Sequence, residues 1–178
     1  MATTAAPYGA RPVGTLSASG SFTSKTRNLP IITTYNTQIS NGDFVTLAAD
    51  GTITKNAGTT SLGCVGIFLG CSYTDPTTSQ KTFSNWWPAS NAATDAMAYV
   101  LDDPFVVFQM QSDASLETTD RGLNAAVVVT AGDTTFGKSR NALDGSTPDV
   151  TATLPLRIID FVDGPSSLPP KGTTASDA

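Results

Sequence analysis

Gly132-Asp-Thr-Thr-Phe-Gly-Lys-Ser139 matches, letter for letter, the G-x-x-x-x-G-K-[ST] pattern that cradles nucleotide phosphates. It follows an apolar stretch at residues 126–130, and Ile158-Ile159-Asp160 has the form of a strand ending in a magnesium-binding aspartate. A phosphate cradle needs a helix behind it, long enough to present free amides and a dipole. Asp144-Gly145 arrives five residues after Ser139, with Pro148 close behind. About one helical turn fits in that space, which is too little to anchor phosphate. The sequence therefore predicts a glycine-bounded turn beside a strand, and leaves a P-loop NTPase as a remote alternative.

Other catalytic arrangements lack their parts. The chain has no histidine, so neither a Ser-His-Asp nor a Cys-His relay can be assembled. Without histidine and with two separated cysteines, no typical zinc site is expected, and no D-x-D-x-D-G calcium loop is present. Glu117 is the single glutamate. A carboxylate pair could still come from aspartates, but Asp102 and Asp103 are adjacent and lead into Pro104, the signature of a turn. Cys64 and Cys71 are expected in one strand on opposite faces, beyond disulfide reach, as two free thiols suited to a reducing cytoplasm. No enzyme, cofactor or metal is expected.

The elements that would position these groups read as strands. Only 14% of the 178 residues are charged, 39% are hydrophobic, and 15 Gly and 11 Pro punctuate a Thr-rich chain. That composition favours strands and frequent turns. Strands are expected at residues 30–39, 44–47, 52–54, 62–73, 96–101, 105–111, 125–130 and 154–162. Asn41-Gly42-Asp43 and Asp50-Gly51 mark turns, and one or two helical turns are expected within 113–124. In residues 62–73, Val65, Ile67, Leu69 and Cys71 would share one face, and Gly66, Phe68 and Gly70 the other. Glycines inside a strand suggest a bulge. No segment carries a long 3.6-residue period, so a compact all-β barrel or sandwich is expected. Residues 1–29 read as an extended N-terminal arm, 30–163 as the barrel domain and 164–178 as a flexible tail.

Charge is uneven. The first 42 residues carry Arg11, Lys25 and Arg27 and no acid; the remainder carries all 15 acids against seven cations. The net charge of −5 disfavours a nucleic-acid partner, while a cationic arm on an acidic body has the polarity of a docking element. No apolar run is long enough to span a membrane, and the small, polar N-terminus predicts no secretory signal. If Trp86-Trp87 is extended, its rings point to opposite sides, one into the core and the other towards a partner; the alternative is that loops bury both.

The ordered landmarks Tyr8-Gly-Ala-Arg-Pro-Val13, Gly42-Asp43, Gly63-Cys-Val-Gly66 with Tyr73, Trp86-Trp-Pro88, Asp102-Asp-Pro-Phe105 with Phe108-Gln109, Gly122-Leu-Asn124, and Gly137-Lys-Ser139 before Leu143-Asp144 cover most of residues 7–161. In that order they resemble the small head-decoration, or cement, proteins of tailed phages, especially marine phages. The resemblance implies a β-barrel or β-tulip body with an extended arm. It implies binding to the major capsid protein on the outside of the capsid, after synthesis in the host cytoplasm, and stabilisation of the head against internal DNA pressure. It also implies self-association as a dimer or trimer, and no catalytic residues. The contacts expected for such a role are Tyr8, Arg11, Lys25, Arg27, Trp86 and Trp87. A carbohydrate- or receptor-binding head-fibre or tail component is the second expectation.

Overall fold

The computed structural model describes residues 6–16 and 25–162. Among them are 14 strands, and one short 3-10 turn, Thr118–Asp120, is the sole helical element. The fold is all-β, as the composition demanded.

Its centre is a six-stranded antiparallel sheet. The strands are β2 (Thr26–Pro30), β4 (Phe44–Leu47), β5 (Ile53–Lys55), β6 (Gly66–Thr74), β7 (Lys81–Ser84) and β9 (Met97–Leu101), in the order β2-β9-β6-β4-β5. The first half of β6 pairs with β4, and the second half of the same edge pairs with β7. The remaining strands form two-stranded ribbons: β1 (Arg11–Thr15) with β10 (Val106–Gln109), β3 (Ile39–Ser40) with β8 (Trp86–Trp87), β11 (Asn124–Ala125) with β14 (Leu156–Arg157), and β12 (Val127–Val128) with β13 (Ala142–Leu143). The expected barrel is not formed, because the sheets do not close on one another.

The central sheet separates two cores. On one face Ile39, Val45, Ile53, Phe68, Cys71, Tyr73, Trp87, Ala98 and Val100 pack together. On the other, Phe44, Ile67 and Leu101 meet Ala125, Val127 and Leu143 from the ribbons and Ala10, Met110, Leu116, Ile158 and Phe161 from the segments beside them. A bulge in β6 sets this division. Ile67 pairs with Leu101 and Phe68 with Val100, but Gly70, not Leu69, pairs with Tyr99. The extra residue shifts the period by one, so Phe68 and Cys71 lie in the same core. The strict alternation expected for this strand is thereby corrected, and the bulge its glycines suggested is present.

Several expected strands are shorter or absent. Residues 31–38 turn instead of extending. Thr34 has a positive φ of 62°, and Tyr35 N–H donates to the Ile32 carbonyl at 3.2 Å. The 125–130 strand is split between β11 and β12, and the 154–162 strand survives only as Leu156–Arg157. Cys64 precedes β6 in an exposed loop; both cysteines are free. Where an arm was expected over residues 1–29, β1 and β2 are paired into the fold, and β2 runs across the expected boundary at residues 29 and 30. The tail at 164–178 lies outside the described residues.

Candidate interaction surface

The hydrogen bonds of Gly132–Ser139 are those of a closed turn rather than of an open phosphate cradle. Residues 134–136 form a turn. Asp133 Oδ1 accepts the amides of Thr135 at 2.6 Å and Phe136 at 3.0 Å, and the Asp133 carbonyl accepts that of Gly137 at 3.0 Å. The Phe136 and Thr135 amides, with Arg140 2.9 Å from Oδ2, hold the Asp133 carboxyl below its ordinary range. The donors that would cradle phosphate are thus occupied by a carboxylate from the same turn. No helix follows, and the fully buried Ser139 hydroxyl donates to Asp43 Oδ1 at 2.6 Å. The other suspected acids are also structural. Asp102 pairs with Arg27, Asp103 Oδ1 caps the Phe105 amide at 2.9 Å, and Asp160 pairs with Arg121.

Trp86 and Trp87 do face opposite sides, but neither is open to a partner as expected. Trp87 is fully buried, meets Tyr73 edge-on at 5.5 Å, and its indole N–H donates to the Tyr35 carbonyl at 3.3 Å. Trp86 is half-buried because the 133–138 turn lies against it. Gly137, at φ +64°, sits so close to the Trp86 ring that a Cβ there would collide with it. Asn85 Nδ2 donates to the Phe136 carbonyl at 2.9 Å and holds the turn down. Trp87 is therefore corrected from a contact to a core residue.

The cationic and N-terminal candidates do not form a single cluster. Half-buried Tyr8, whose phenol burial pushes up, leads into Gly9 and Ala10, whose amides donate to the carbonyls of Asn141 and Gly42. Arg11 is exposed opposite Gln109 on the β1–β10 ribbon. Lys25 is exposed just before β2, and Arg27 bonds Asp102 at 2.8 Å. The strands that carry them flank the β9–β10 connection from either side, since Thr15 pairs with Val106 and Thr26 with Leu101.

That connection borders a continuous apolar surface that the sequence reading missed. Val13 is 53% exposed, Leu16 61% and Phe105 58%. A groove of about 460 Å³ runs between the ribbon and the β14 segment, lined by Val13, Leu16, Val107, Ile159, Phe161 and Val162. A second hollow of about 550 Å³, between Leu62, Cys64 and Leu154, shares the walls Pro104, Phe108, Pro155 and Leu156 with it. Among the described residues β1 and β10 pair only with each other. Large exposed apolar patches mark contact surfaces. The alternation of Val13 and the ribbon's apolar run carried this signal, but only the packing shows which side stays bare.

Among the described residues no cluster of His, Cys, Asp or Glu could hold a metal, and no helix is long and apolar enough to cross a membrane. Comparison with protein-family models, with curated proteins and with solved structures gave no match.

Proposed function

We propose that this protein is a structural component of a tailed-phage head that binds the outer capsid surface and stabilises the shell. The observation that carries the binding surface is the apolar groove beside the β1–β10 ribbon, with Arg11 at the ribbon's end. The occupant is the lattice of major capsid protein, met by the groove's apolar wall; the cations of the first strands steer the approach. Because the protein binds the intact shell and not the ruptured one, occupancy stabilises the shell by mass action, and many weak copies add up along it. Self-association as a dimer or trimer belongs to the same reading.

A sugar-binding module has less support. It would want an exposed indole to stack on a ring, but Trp87 is buried and Trp86 half-buried; among the described residues the exposed aromatics are Phe83, Phe105 and Phe136.

The test is co-sedimentation of purified protein with heads that lack it, followed by the temperature at which those heads release DNA. Saturable binding and a raised release temperature are expected. Leu16→Asp combined with Val13→Asp should abolish both while leaving the melting temperature of the free protein unchanged. Absence of binding by the wild-type chain would refute the proposal; undiminished binding by the double variant would refute the assigned surface.

A further inference from the structure

Beneath the 137–141 segment lies a polar centre in which Asp43, Ser139 and Asn141 are fully buried and the Lys55 side chain is 9% exposed. Asp43 points to the same face as Val45, two residues on, and towards Lys55, the cross-strand partner of Val45. Its carboxylate is fully buried and takes four donors. Oδ2 accepts Lys55 Nζ at 2.9 Å and Ser40 N–H at 2.8 Å; Oδ1 accepts Ser139 Oγ–H at 2.6 Å and Asn141 Nδ2–H at 3.2 Å. Asn141 is fully buried, and its Oδ1 accepts the Thr130 amide at 3.0 Å. Lys55 Nζ also reaches the Thr130 carbonyl at 3.3 Å. A buried ion pair of this kind contributes little stability over apolar residues of similar volume, so stability alone gives weak reason for it.

The groups are those of an acyl transfer. Lys55 supplies an amine, Asn141 a primary amide, and Asp43 a carboxylate that touches both, one on each oxygen. The Thr130 N–H sits on the amide oxygen, where negative charge would develop in a tetrahedral intermediate. Burial of the Asn141 amide limits competing hydrolysis, and confinement makes the encounter intramolecular. The amine must close to roughly 3–3.5 Å from the amide carbon, a movement open to the flexible lysine stem.

We propose that Lys55 and Asn141 become joined after folding by a side-chain amide bond. The Nζ–Cγ bond forms and the Cγ–Nδ2 bond breaks. Asp43 relays two protons in turn, taking each from the lysine nitrogen at Oδ2 and delivering it to the departing nitrogen from Oδ1, so a neutral amide remains and ammonium leaves with the lysine's original charge. No oxidant or co-reactant is needed. The product staples β5 to the segment ahead of β13, an advantage in a protein that bears mechanical load, although the proposal stands independently of the capsid reading.

The experiment is intact mass spectrometry of the folded full chain, fresh and after prolonged warming below its unfolding temperature, with proteolytic mapping. A mass lower than the sequence mass by one ammonia is expected, together with a branched peptide joining the Lys55 and Asn141 segments. Lys55→Arg keeps a cation on Asp43 but is not expected to be acylated, and should hold the full sequence mass. A warmed, folded wild-type chain at its sequence mass overturns the proposal. So does an ammonia loss that survives Lys55→Arg, which would come from another amide such as Asn41-Gly42. Loss of one water instead, with Lys55 joined to Asp43, overturns the choice of Asn141 as acyl donor.

Discussion

Replacing Trp87 by alanine separates a core role from a contact role. Trp87 is the largest fully buried side chain, closed in by Tyr73 and anchored through its indole N–H to the Tyr35 carbonyl. Truncating a buried Trp removes its transfer energy and leaves a cavity, about 3–5 kcal/mol together, a range that includes the edge-on contact with Tyr73. The Tyr35 carbonyl also loses a donor and is left without that bond. In a domain of this size 1 kcal/mol moves the melting temperature by roughly 2–4 °C, so a fall of about 6–20 °C is expected. Differential scanning calorimetry gives the melting temperature, and near-ultraviolet circular dichroism reports whether the aromatic core survives. Head binding measured well below the variant's melting temperature should be unchanged. A melting temperature within about 2 °C of wild type would refute the core assignment, because it would mean a loss below roughly 1 kcal/mol. Normal stability with lost binding would return Trp87 to the surface.

Three further outcomes follow from local geometry. Gly137→Ala should destabilise the 133–138 turn by about 1–3 kcal/mol, since it combines a left-handed backbone with a Cβ against the Trp86 ring; the fluorescence of Trp86 should shift to the red as the turn lifts, and an unchanged spectrum and urea midpoint would contradict this. Asp95 is held well below the ordinary carboxylate range by the Lys81 ammonium 2.8 Å away, and by the amide and hydroxyl of Thr74. A depressed folded value makes its contribution complete above the ordinary value of 3.8 and lost as pH falls below it, so the urea midpoint of Asp95→Asn should fall less steeply below that pH than wild type. Burial pushes the Cys71 thiol up to about 12, and its S–H donates to the Trp86 carbonyl at 3.4 Å. Cys64 alone should react with a thiol reagent in the native state at mildly alkaline pH, and Cys71 only after unfolding; any contribution of Cys71 to stability is lost as pH rises past the ordinary value of 9.0.

The readings that succeeded rested on local chemistry. The Phe44–Leu47 strand, the turns at Gly42 and Gly51 with positive φ, the Asp103 turn and the bulge among the β6 glycines all follow from residues within a few positions of one another. So do the turn and the lack of a helix after Ser139 among the described residues, where a glycine and a proline end the space a helix would need. The readings that failed required distant partners. Residues 31–38 have strand-forming side chains, yet they turn because Thr34 and Tyr35 bond Asn91 and Ser90 across the chain. Which of Trp86 and Trp87 would point outward was open in the sequence, and residues 133–138, remote in sequence, pack against the outward one, Trp86, and half-bury it.

Composition and turn chemistry by themselves determined that the chain is all-β and where much of it bends. Backbone torsion preferences and turn hydrogen bonds act within a few residues, so they can be read in order along the chain. Tertiary structure alone decided that β1 and β2 are built into the fold, that the sheets stay open, which apolar side chains remain bare at Val13, Leu16 and Phe105, and that Lys55, Ser139 and Asn141 meet on the buried Asp43 carboxylate. Those outcomes depend on which segments compete successfully for the same neighbours, and that competition is settled only when the whole chain packs at once.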